Sequence, residues 1–189
     1  MPQLDTQKLL DLVERAVPPQ LATWDLETSG LGADYQRIVL ASVKPFGLPP
    51  ITFVGDKWNK DRALSKKIRD ELEKYTVLVA HNGLCFDIPY LNTRLLRWGQ
   101  HPLDSRHHLD TYQVLKPKLR TSSKSLAALS SFLKLEQQKM NLEPDVWDRA
   151  ASDDKEALAL LKQRCEADCI GLEQLYLKTR HLIRDLKCR

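Results

Sequence analysis

The sequence predicts a three-layer α/β domain in which helices flank a mixed sheet. Three observations carry this expectation. Four apolar, β-branched runs (LATWDLE, RIVLASV, ITFVG and TVLVA) have the length of strands. From Trp58 onward such runs alternate with charged segments whose apolar residues recur at helical spacing. The resulting order is α, βββ, α, β, α, β, then helices, which suits a meander continued by crossover units. At 189 residues, 42 % hydrophobic and 29 % charged, the chain is large enough to bury about 70 % of its unfolded surface and too apolar for disorder. A single domain over 1–189 is expected, opened by an N-terminal helix over 1–17.

The elements follow in order. Leu4, Leu9, Leu10, Leu12, Val13 and Ala16 share a helical stripe that Pro18-Pro19 ends. Strands are expected at 21–27, 37–43 and 51–55. A helix over 58–75 presents Ala63, Leu64, Ile68 and Leu72, and 76–80 is short and apolar enough for a strand buried on both faces. HNGLCF reads as a loop. A helix over 87–98 turns Ile88, Leu91, Leu95 and Trp98 inward and stops at Gly99. Residues 107–112 suit a brief fifth strand, 113–123 a loop, 124–133 a short helix, and 136–152 an irregular segment with one turn around Trp147. Asp153 or Asp154 then caps a long helical region running to about Leu186.

The net charge is +4, too small for a histone-like clamp. Its distribution says more. Residues 1–110 carry 14 basic and 14 acidic side chains, whereas 111–189 carry 15 and 11. The stretch 116–139 holds Lys116, Lys118, Arg120, Lys124, Lys134 and Lys139 against Glu136 alone, which suits either a phosphate-tracking surface or a solvated face. No apolar run approaches the ~18 residues of a membrane span. Asp5, Asp11 and Glu14 make the N-terminus unlike a signal or transit peptide, so a cytoplasmic protein without a membrane partner is expected. Cys85, Cys165, Cys169 and Cys188 contain no Cys-x-x-Cys pair. Reduced thiols are the better reading, with a zinc site on Cys165, Cys169 and a histidine as the minor one.

Carboxylates gather in three motifs. In Trp24-Asp25-Leu26-Glu27, strand alternation sends Asp25 and Glu27 to one face. Two solvated acids at a strand end, or a two-carboxylate pocket, both satisfy that pattern. In His81-Asn82-Gly83-Leu84-Cys85-Phe86-Asp87, an apolar strand runs into a polar loop and then a helix. Asp87 suits an N-cap, or an acid held over the same sheet edge with Asn82 and Phe86 fixing the loop and Gly83 permitting close backbone approach. In Cys165-Glu166-Ala167-Asp168-Cys169-Ile170-Gly171, Asp168 has small or apolar neighbours. A buried lone carboxylate needs a cation, from an arginine or a metal.

Together, WDLETSGLG, LVAHNGLCFDIPYL and CEADCIGLEQLY resemble the DEDD 3′–5′ exonucleases of the ribonuclease H-like fold, within the predicted RNase H-like exonuclease group. HLDTY, with Asp110, is similar to a secondary acidic motif of that family, and DVWDRA before the KEALALL helix fits it too. The resemblance covers roughly 20–180 and implies a ribonuclease H-like three-layer α/β/α fold with a mixed five-stranded sheet. It implies that Asp25, Glu27, Asp87 and Asp168 hold two Mg²⁺ or Mn²⁺ ions, hard cations suited to oxygen ligands. Asp25 would bridge the ions, Glu27 and Asp168 would complete the water-activating side, and Asp87 would act on the second ion through water. Hydrolysis from the 3′ end of single-stranded DNA or RNA would release nucleoside monophosphates.

Thr28, Leu31, Asn82, Phe86, Lys124 and Arg164 are the expected substrate contacts, and Trp24, Tyr35, Phe86 and Tyr90 are candidates for base stacking or for core. The chain departs from the family at the general base. A Tyr four residues, or a His five residues, before the last Asp is replaced by Arg164 and Gln163, neither of which accepts a proton at neutral pH. A metal-bound hydroxide alone, a base drawn from His107 or His108, or a catalytically weak or inactive nucleic-acid-binding module each answers that departure. An endonuclease with the same ions is a further, minor reading.

Overall fold

The computed structural model describes residues 21–55, 61–103, 107–137 and 140–183. The N-terminal helix expected over 1–17, Cys188 and the chain beyond 183 lie outside the described residues. The sheet is five-stranded: β1 (Leu21–Thr28), β2 (Ile38–Pro45), β3 (Ile51–Val54), β4 (Val77–Ala80) and β5 (His107–Asp110), in the order β3-β2-β1-β4-β5. The β1–β2 and β2–β3 pairs are antiparallel, as short turns allow. The β1–β4 and β4–β5 pairs are parallel, because a helix intervenes each time. These are α1 (Arg62–Leu72) and α2 (Asp87–Arg97).

Alternation along β1 decides what faces what. Ala22, Trp24 and Leu26 enter one core with Leu64, Ile68 and Leu72 of α1 and Leu91 and Leu95 of α2. Leu21 points the other way, packing on Leu172, Leu175 and Tyr176 of the long helix α6 (Lys155–Thr179). Thr23 shares that second face, its hydroxyl donating to Cys169 O at 3.0 Å. Asp25 and Glu27 follow by parity, so strand geometry turns both carboxylates toward α6. A third core, between β2 and α6, takes Val39, Leu40, Val146, Ala150, Leu161 and Cys165. The molecule is thus the α/β/α arrangement that the sequence predicted.

Two connections depart from expectation, and two others agree with it. The strand expected over 107–112 stops at Asp110, whose carboxylate accepts from Tyr112 N and Gln113 N and so caps α3 (Thr111–Leu115), inside what reads as a loop. The segment 136–152 contains the seven-residue α5 (Asp145–Ala151), longer than a single turn. The helix expected over 124–133 is α4 (Leu126–Phe132), capped by Ser125. Asp154, rather than Asp153, caps α6, accepting from Ala157 N. Among the described residues no helix is long and apolar enough to cross a membrane.

Candidate metal centre

The carboxylates meet where β1 outruns β4. The β1–β4 ladder covers only Leu21–Thr23, so the amide of Leu26 has no strand to bond on that side. Asp87 Oδ1 accepts it at 3.1 Å. Asp87 is therefore not an N-cap: Phe86 occupies that position, without a side-chain cap bond. Its carboxylate crosses from the start of α2 to the backbone between Asp25 and Glu27. Gly83 makes room, since a Cβ there would lie 2.4 Å from Ala80 Cβ and 3.5 Å from Asp87 Oδ2. Asn82 turns the loop in the left-handed region, at φ 67°.

Asp110 holds this loop from behind. It accepts from Asn82 N at 2.9 Å and Leu84 N at 3.1 Å in addition to the two α3 amides. That acid is a clamp on four backbone amides, and the clamp aims the loop that delivers Asp87. His81 adds a second tie, with Nε2 donating to Lys124 O at 2.8 Å and Nδ1 lying 2.8 Å from Thr111 Oγ1.

Helix α6 closes the other side. Cys165 Sγ lies 3.6 Å from Asp25 Oδ2. Asp25, Glu27 and Cys165 offer ligand atoms within 4.8 Å of one another. Burial pushes the Cys165 thiol well above its ordinary range, so it stays S–H and donates to Asp25; the thiolate is the form that ligates. The donor set that remains is carboxylate oxygen, which fits Mg²⁺ or Mn²⁺. Among the described residues no candidate metal group joins Cys165 or Cys169 to a histidine, and Cys169 Sγ donates to Ser42 O at 3.4 Å.

Arg164 and Trp147 complete the cluster. Arg164 Nε donates to Glu27 Oε1 at 3.0 Å, and its Nη2 lies 3.5 Å from Asp168 Oδ2. Trp147 Nε1, from α5, donates to Glu27 Oε2 at 2.8 Å. Glu27, Asp87 and Asp168 are each 5 % exposed. Burial outweighs Arg164 and raises the Glu27 carboxyl above its ordinary value. Burial, with the nearby charges of Asp110 and Glu27, pushes Asp87 to about 7. Among the described residues Arg164 pairs with both Glu27 and Asp168, so one guanidinium is shared between two buried acids.

The other expected contacts divide. Thr28 is buried, its hydroxyl donating to Gly30 O at 2.9 Å. Leu31 is 88 % exposed on the loop that follows β1. Phe86 packs on Tyr90, ring centroids 5.5 Å apart. Trp24 and Tyr90 are core residues, whereas Tyr35 is exposed. Lys124 reaches only the edge of the site through its carbonyl, and its ammonium donates to Thr121 O at 2.8 Å. His107 and His108 pair with Val77 and Leu78, level with Leu21 and Ala22. Strand spacing puts them on the order of 15 Å from Asp25, too far to serve as its base.

Trp147 stands in the cluster without having been read as a site residue. A large indole in an otherwise polar segment was the available signal. A cavity of about 800 Å³ also opens beside the loop after β1, lined by Ser29, Tyr35, Arg37, Arg94, Arg97 and Trp98 among others.

A family model of the RNase_H superfamily matches residues 23–180. A stretch of 48 residues is 44 % identical to the DNA polymerase III PolC-type of Ureaplasma parvum serovar 3, covering 25 % of this chain and 3 % of that protein. The structure of the family B DNA polymerase from the hyperthermophilic archaeon Pyrobaculum calidifontis is similar at a TM-score of 0.73 and 18 % identity, over 87 % of this chain and 25 % of that one. The likeness to that structure is one of fold, and this chain spans a small part of either polymerase.

Proposed function

The chain belongs to the RNase H superfamily, and from that footing we propose that it is a nuclease, a two-metal 3′–5′ exonuclease that shortens single-stranded DNA or RNA to nucleoside monophosphates. The observation that supports this reading is the convergence of three buried acids and the half-buried Asp25 from three elements. Asp25 and Glu27 share one face of β1, Asp87 reaches β1 from α2, and Asp168 faces it from α6, joined to Glu27 through Arg164. Asp25, Glu27, Asp87 and Asp168 would hold two Mg²⁺ or Mn²⁺ ions. Bound, such ions lower the pKa of water and offset charge on the attacking and leaving oxygens of a phosphodiester.

The protein's own residues do the rest. Cys165 and the Leu26 amide orient Asp25 and Asp87. Trp147 and Arg164 fix both oxygens of Glu27. Leu31 and Tyr35, exposed on the loop after β1, are available to stack on the terminal bases. A guanidinium offers donors and no acceptor, so Arg164 serves as a phosphate contact and not as a base.

The deciding experiment uses a 5′-labelled single-stranded oligonucleotide and Mn²⁺. A ladder shortening from the 3′ end is expected, with release of mononucleotides, and Asp25→Ala should abolish it while leaving the fold intact. An Asp25→Ala protein with near wild-type turnover would sink the assignment, and internal fragments would indicate an endonuclease. A second reading, a nucleic-acid-binding module with little turnover, draws on one observation: a guanidinium stands beside Glu27 and Asp168 where the family places a tyrosine. Binding of the oligonucleotide without cleavage would select it.

A further inference from the structure

We infer that Arg164 is a built-in counter-ion of the carboxylate cluster, and that its guanidinium competes with a divalent cation for Glu27 and Asp168. This rests on the proposed reading of the cluster as a metal centre, and goes beyond it by assigning the site an internal competitor.

Three sets of contacts hold the guanidinium in place. Nε is bonded to Glu27 Oε1 at 3.0 Å, and Nη1 donates to Met140 O at 2.6 Å. The guanidinium carbon lies 5.2 Å over the Trp147 ring, within the range of a cation–π contact. Trp147 also donates to Glu27 Oε2, so Glu27, Arg164 and Trp147 form a closed triangle. The side chain of Arg164 is 13 % exposed, which makes it an interior group.

Its place beside Asp168 is set by the backbone. The two residues stand four apart on α6, the spacing at which side chains meet on one helix face. No movement of the helix relative to the sheet separates them. The positive charge is permanent, and its planar fork matches two acceptors at once. A tyrosine at the same position would leave both acids without this cation.

A divalent ion that approaches Glu27 and Asp168 therefore meets a like charge already bonded to Glu27 and 3.5 Å from Asp168. It must share the carboxylates with the guanidinium or turn it away, and either course weakens binding. The same contacts offset repulsion among the acids when no ion is bound, so Arg164 trades metal affinity for stability of the metal-free fold.

The test compares wild-type protein with Arg164→Gln, titrating each with MnCl₂ by calorimetry and following thermal unfolding with and without Mn²⁺. Arg164→Gln is expected to bind Mn²⁺ about tenfold more tightly, about 1.4 kcal/mol. Its metal-free midpoint should fall and its Mn²⁺-induced rise should grow. Matching isotherms for the two proteins, both binding Mn²⁺, would overturn the inference and leave the nuclease reading standing. Failure of both to bind Mn²⁺ into the millimolar range would overturn the inference together with the metal centre itself. Should Arg164→Gln lack the circular dichroism of the fold, Arg164→Lys decides. A single ammonium cannot hold both acids as the fork does, so a gain of about threefold is expected, and an unchanged affinity would overturn the inference.

Discussion

Arg94 and Arg164 both face carboxylates, and they differ in how completely they are satisfied. Arg94 on α2 donates Nε and Nη2 to the two oxygens of Asp61, both at 2.9 Å, and Nη1 to Ala33 O at 2.8 Å. Asp61 also accepts from Ile38 N and Trp98 Nε1. One cation meets one anion, and every strong acceptor position has a donor. Arg164 is divided between two acids, at 3.0 Å from Glu27 and 3.5 Å from Asp168. The first arrangement is closed and locks β2 to α1 and α2. The second is shared between Glu27 and Asp168, and it is the pair of acids a divalent ion would contest. Saturation marks a structural pair, and sharing marks a site.

Asp61→Ala is the sharpest way to break the contrast. It strands a buried guanidinium, and should cost about 3–5 kcal/mol, read as a lowered urea midpoint. The Mn²⁺-induced stabilisation of whatever still folds should persist, because the acids are elsewhere; its loss would mean the two regions are not separable.

A pH series probes the buried acids directly. The folded chain keeps a proton on Asp87 up to about 7, whereas the ordinary carboxyl releases it near 3.8. Between those values the folded state binds more protons than the unfolded state, so stability falls as pH rises. The contribution is fullest below the lower value and is lost through the upper one. In metal-free buffer, Asp87→Asn should flatten that decline by a few kcal/mol across the window, in urea melts at each pH. A decline as steep as that of the wild type would remove Asp87 as its source.

Trp147→Phe keeps a ring over Arg164 and deletes the indole donor to Glu27. A loss of about 1.5–3 kcal/mol is expected for a hydrogen bond to a charged group. An unchanged thermal midpoint would mean that Glu27 replaces the bond at no cost. Gly171→Ala should act in the opposite direction and least. The added Cβ would meet Gln137 O at 3.6 Å, an ordinary contact, so no tight packing requires this glycine. A gain of up to about 1 kcal/mol in helix propensity follows, with an unaltered Mn²⁺ isotherm. A changed isotherm would implicate α6 as a whole, and not Arg164.

The strands and their succession along the chain were legible because apolar runs and helical stripes are local signals, whereas their spatial order in the sheet was not. The shared orientation of Asp25 and Glu27 was legible because alternation needs only neighbours. What escaped was long-range or had two local meanings. Nothing near Arg164 announces a bond to a carboxylate 137 residues earlier. Asp61, the anchor of a buried network, reads locally as one more charge at the start of a helical stripe. Asp110 was noticed as an acid, yet its work is to accept amides of α3 and of the loop after β4. An Asp-Thr pair at a strand end carries a second local meaning, a helix cap. His107 and His108 looked like available bases until strand register put them level with the opposite end of β1.

The separation of the partners of Glu27 along the chain has a consequence for synthesis. Trp147 follows Glu27 by 120 residues, and Arg164 by 137. At roughly 5–20 residues per second a ribosome delivers Arg164 some 7–27 s after Glu27. Throughout that interval the part of the sheet face that α6 covers from Arg164 onward is open, and Glu27 has no guanidinium of Arg164 to meet. Whatever binds divalent ions or covers apolar surface in the nascent chain acts during those seconds, before the helix that carries the counter-charge has been made.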